Sequence, residues 1–101
     1  IFIERDKFMV FCTIWAGRNN FSDNNKKWSG YVNEISRVIE YCEGTIHFFS
    51  SSEILSHSQN CLWLIEVKED NVNALMQELK HLRKFYEAEE IMVMSGELVG
   101  L

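Results

Sequence analysis

The sequence predicts an α+β sandwich in which two helices cover one face of a four-stranded antiparallel sheet. Three observations lead there. Four short apolar or β-rich runs read as strands, two longer segments carry helical periodicity, and they follow the order strand, helix, strand, strand, helix, strand. Residues 8 to 15, Phe-Met-Val-Phe-Cys-Thr-Ile-Trp, are continuously apolar or β-branched, too short for a lone buried helix, and are bounded by Gly17 and an Asn-rich loop. They predict a central strand. From residue 26, Trp28, Tyr31, Val32, Ile35, Val38, Ile39 and Cys42 recur at helical spacing with Asn33, Glu34, Ser36, Arg37 and Glu40 between them. Asp23, Asn24 or Asn25 can cap this first helix, and Gly44 sits where a left-handed terminator belongs.

Thr45 to Ser51 and Cys61 to Lys68 are two further strands, joined as a hairpin across the polar stretch Ser56-His57-Ser58-Gln59-Asn60. A second helix starts at Asp70 or Asn71, because Val72, Leu75, Met76, Leu79, Leu82 and Tyr86 form one stripe, and Lys80, Arg83 and Lys84 suit its C-terminal dipole. Ile91 to Met94 is the fourth strand. Two split β-α-β halves in this order read as a ferredoxin-like βαββαβ sandwich spanning 1–101 as a single domain. Right-handed crossovers then place the first and third strands centrally, and these are the two most continuously apolar runs.

Composition narrows the function. The chain of 101 residues is 47% hydrophobic and 25% charged, as a globular domain is, and its 10 Lys+Arg against 15 Asp+Glu give a formal charge of -5. That balance disfavours direct nucleic-acid binding. Cys12, Cys42 and Cys61 are odd in number, form no CxxC pair and lie in apolar segments, which predicts inert, reduced thiols and a cytoplasmic location. The longest run free of Asp, Glu, Lys, Arg and His, Phe8 to Gly17, is about half of a membrane-spanning helix, so neither an anchor nor a signal peptide is expected. The first residue, Ile1, and the apolar end at Leu101 keep open a regulatory module cut from a longer chain.

Two helices shield only one side of the sheet, so strand parity identifies the other. Glu66 and Lys68 mark the outer parity of the third strand, and with them Leu62 and Leu64; Thr13 sets Met9, Phe11 and Trp15 on the same side. Phe49 is expected to join them. Such an apolar patch needs a cover, and a second copy is the simplest one.

No catalytic constellation is expected, and no metal or cofactor. The loop around Arg18 brings a cation to a helix N-terminus, but its Asn-rich sequence suits turn and cap geometry and has no phosphate-loop spacing. His57 and Cys61, with His47 distant, are too few for a zinc site. Ser50, Ser51 and Ser52 near His57 lack the strand-turn-helix elbow of a nucleophile. One acidic run is unexplained by local structure: Glu87, Glu89 and Glu90 fall at the C-terminal end of the second helix, where negative charge is unfavourable, and Glu40, Glu43 and Glu97 can extend it.

The expected function is a small acidic protein-binding module. Its most concrete form is an immunity, antitoxin or inhibitor type protein that covers a basic surface, such as that of a toxin or nuclease. Glu87, Glu89 and Glu90 would steer association, and Phe11, Trp15, Leu62 and Leu64 would anchor it or a homodimer through the open sheet face. The alternative is a dimeric enzyme or regulatory sensor that binds a small ligand among Trp63, His47 and Arg18.

Overall fold

The computed structural model describes residues 9–18, 24–51 and 59–96. Within them the chain forms β1 (Met9–Gly17), α1 (Asn25–Tyr41), β2 (Thr45–Ser51), β3 (Asn60–Lys68), a 3-10 turn (Glu69–Asn71), α2 (Val72–Tyr86) and β4 (Met92–Gly96). The sheet order is β2-β3-β1-β4, with every neighbouring pair antiparallel. This is the ferredoxin-like α+β arrangement, and the two apolar runs at its centre are β1 and β3. The expectations for Phe8, Asp23, Ser52, His57 and Glu97 lie outside the described residues.

Alternation along the central strands builds the core. Cys12, Ile14 and Ala16 of β1 and Cys61, Trp63, Ile65 and Val67 of β3 are buried on one side, against Trp28, Tyr31, Ile35 and Ile39 of α1 and Leu75 and Leu79 of α2. Trp63 is the largest fully buried side chain, and its indole N–H donates to Ser36 Oγ at 3.0 Å. The polar end of the ring is thus satisfied inside an apolar layer. Tyr31 packs between Trp28 and Tyr86, with ring centroids 6.0 and 5.1 Å away. Met76 departs from its predicted place: it lies on the apolar stripe of α2 but is 43% exposed, at the margin that faces the outer edge of β4.

The helix ends explain where the chain turns. Asn24 caps α1, its Oδ1 accepting from the Lys27 N–H at 2.9 Å. At the other end Gly44 is not the left-handed residue; Glu43 is, with φ 63. Gly44 N–H donates to the Ile39 carbonyl at 2.9 Å and Glu43 N–H to the Glu40 carbonyl at 2.9 Å, the paired bonds of a Schellman motif. Gly44 sits instead at a close approach, since a Cβ there would stand 3.0 Å from Ile39 Cγ2 and 3.1 Å from the Ile39 carbonyl oxygen, tighter than ordinary contact. The same motif ends α2: Glu87 has φ 54, and Ala88 and Glu87 N–H groups donate to the Arg83 and Lys84 carbonyls. Asn71 Nδ2 then ties the start of α2 to the Cys42 carbonyl at 3.0 Å.

Glutamate in a left-handed conformation is strained by its Cβ, at about 1–2 kcal/mol per residue. Glycine relieves that strain but is freer in the unfolded chain. Glu43→Gly and Glu87→Gly should therefore each stabilise the domain by about 0.5–1 kcal/mol, which for this size raises Tm by roughly 4 °C. Thermal melts followed by circular dichroism check this; an unchanged or lower Tm would mean that side-chain contacts of the glutamates, such as Glu43 with Lys68 at 3.7 Å, outweigh the backbone strain.

Candidate functional site

The sheet register defines the face that the helices leave open. Outer residues of β1 pair across the sheet with outer residues of both neighbours: Phe11 with Glu66 and Gly96, Thr13 with Leu64 and Met94, Trp15 with Leu62 and Met92. Phe11, Trp15, Leu62 and Leu64 therefore stand together on one surface, each half-buried. Met92 and Met94 extend it over β4, 54% and 72% exposed. Their parity is silent in the sequence because Ile91 to Met94 is apolar at every position; only the pairing with β1 resolves it.

On β2 the expectation for Phe49 is corrected. The register shifts between Ile46 and Phe48, so that Phe48 pairs with the outer Leu64 while Phe49 pairs with the inner Trp63. A β-bulge places two consecutive residues on one side and inverts the parity beyond it. Phe49 accordingly packs on Trp63, centroids 5.2 Å apart, and Phe48 takes the open face, 54% exposed. His47, at the bulge, reaches Glu66 Oε1 at 2.9 Å and lies 5.8 Å from the Phe11 ring.

Arg18 is folded inward. It is 3% exposed, and its guanidinium donates to Gln59 Oε1 at 3.0 Å and to Asn25 Oδ1, while its backbone N–H donates to the Gln59 carbonyl. Gln59 in turn donates to Ser51 Oγ at 3.0 Å. The arginine thus ties the end of β1, the start of α1, the end of β2 and the start of β3 into one polar clasp. The pocket expected among Trp63, His47 and Arg18 does not assemble: Trp63 lies in the helix-covered core, His47 on the opposite face, and the sheet separates them.

The three glutamates after α2 have different neighbours. Glu87 occupies the left-handed turn, and Glu89 places Oε1 3.2 Å from where a Cβ on Gly17 would stand. Glu90 lines a groove with Lys80 and Arg83. Burial pushes all three thiols above their ordinary range; Glu78 adds to the effect at Cys42, and a hydrogen bond with Ser51 opposes it at Cys61. Among the described residues there is no group of three or more His, Cys, Asp or Glu side chains placed to hold a metal, and no helix is long and apolar enough to cross a membrane.

No protein-family model and no curated protein matches the chain. Solved structures do. The chain superposes on the solution structure of the C-terminal domain of the MgtC protein from Mycobacterium tuberculosis with a TM-score of 0.61 at 9% identity, covering 96% of this chain and 95% of that one. The likeness is one of fold. Weaker similarity extends to the ACT domain from GTP pyrophosphokinase of Chlorobium tepidum. Its crystal structure gives a TM-score of 0.49 at 20% identity over 87% of this chain and 96% of that one. Its solution structure gives 0.47 at 18% over 91% and 89%.

Proposed function

We propose that this is a self-pairing accessory domain that associates through the open face of its sheet. The observation that supports this reading is the continuous apolar surface formed by Phe11, Trp15, Leu62, Leu64, Phe48, Met92 and Met94 on the side the helices do not cover. A second copy suits it. The outer positions of the two central strands carry no charge until Glu66 and Lys68 near one end, where both signs are present and Glu66 already meets His47. A two-fold axis sets such a face against itself without bringing like charges together at its centre. The alternative reading of the sequence, a module of a longer chain, fits a fold shared with the C-terminal domain of the MgtC protein. The immunity, antitoxin or inhibitor role rests on an acidic patch, and it gains no support from the fold.

Sedimentation across a concentration series tests the reading. The native chain should pass from monomer to dimer, and Leu62→Glu with Leu64→Glu should remain monomeric at every concentration while keeping its circular dichroism spectrum. A native chain that stays monomeric throughout, or a double variant that dimerises as well as the native protein, would remove the open face as the interface.

A further inference from the structure

We propose that the groove between α2 and the outer edge of β4 is a second docking site, which borders the open face at Met92 and takes an extended peptide by strand addition. β4 ends the sheet, and its outer edge pairs with no strand among the described residues. Exposed edges are ordinarily blunted by bulges, lysine, proline or inward charges. β2, at the opposite edge, carries the bulge at 46–48. The β4 sequence, Met-Val-Met-Ser-Gly, has none of these devices.

Beside that edge runs a groove of about 700 Å³, within the range of a small-ligand or short-peptide site. Met76, Leu79, Ile91 and Val93 supply its apolar lining. Exposed methionine is adaptable and suits side chains of varied shape. Lys80 and Arg83 stand on its helical wall against the single carboxylate of Glu90, so the groove is locally basic on a chain whose formal charge is -5. That reversal of sign selects the occupant. A second copy would bring an uncharged β4 and a net negative body, whereas a peptide with apolar side chains at alternate positions and a carboxylate on the same side satisfies edge, lining and Lys80 together. Backbone bonds to β4 would provide affinity, and the alternating side chains would provide selectivity.

Selection of a phage-displayed random octapeptide library on the native protein provides the probe. Enriched sequences should alternate apolar residues and carry Asp or Glu in register with them. The strongest, made synthetically, should shift the NMR amide signals of residues 76–83 and 92–96. Lys80→Gln and Met76→Glu, both at exposed positions, should each weaken it about tenfold or more in fluorescence anisotropy with the fold unchanged. Binding should persist in the Leu62→Glu, Leu64→Glu protein, which separates this site from the self-pairing face. A library with no alternating acidic pattern, amide shifts centred on β1 and β3, or equal affinity for the Lys80 variant would overturn the assignment.

Discussion

Replacing Trp63 by alanine should cost about 3–5 kcal/mol of folding stability, at the upper end of what large-to-small core substitutions cost. The indole is fully buried between the sheet and α1, touches the Phe49 ring and bonds Ser36. Truncation leaves a cavity that the surrounding strands and helices fill only in part, and it leaves Ser36 without its indole donor. Small domains hold only about 5–15 kcal/mol in total, so this one change should remove a large share of the reserve and lower the urea midpoint accordingly. Urea unfolding followed by far-UV circular dichroism measures the loss. Trp63→Phe, which preserves most of the ring volume, should lose distinctly less; equal losses would mean that the hydrogen bond, and not the packing, dominates.

Raising the pH should weaken the fold through Tyr31. Burial pushes its phenol from 10 to about 12, with the Arg83 charge drawing it partly back. The fold therefore favours the neutral phenol. That contribution is fully present below pH 10, where the phenol is protonated in both states. It is lost as pH rises through 12, because the unfolded chain releases the proton first. At about 1.4 kcal/mol per pH unit the decline approaches roughly 2–3 kcal/mol over that window. Urea midpoints measured from pH 9 to 12 should fall more steeply in the native protein than in Tyr31→Phe. Parallel curves for the two proteins would assign the alkaline loss to other groups.

These two residues also show which features are legible in the amino-acid order alone. Trp63 and Tyr31 sit on unambiguous periods, one in a strand marked by Glu66 and Lys68, the other on a seven-residue helical stripe, so their inward aim follows from spacing. The strand order follows as well, because only the two central strands need apolar residues in an unbroken run. β2 is different. Its bulge consumes one residue and reverses the side on which every later side chain falls, and nothing in Thr-Ile-His-Phe-Phe-Ser-Ser marks the place. That is why Phe48, and not Phe49, takes the open face.

Surfaces that depend on how one element is laid against the next are harder still to read. Glu87, Glu89 and Glu90 are neighbours in sequence, yet a left-handed turn directs them to separate surroundings. The α2–β4 groove exists only once the second helix has been laid along the last strand, a relation that no local pattern encodes. Gly44 is a site of constraint, as its position after the first helix predicts, but for a different cause: the close approach to Ile39 leaves little room for a Cβ, while Glu43 absorbs the unusual dihedral.

The pairing of β1 with β3 runs unbroken from Met9 opposite Lys68 to Gly17 opposite Asn60. A slip of β3 by a single position would bring Glu66 into the hydrocarbon interior and turn Trp63 out to water, so misaligned forms are rejected as the chain folds. Odd and even letters of these strands therefore answer to separate demands. One set enforces a single architecture; the other can drift or be redesigned toward new contacts while that architecture stays as it is.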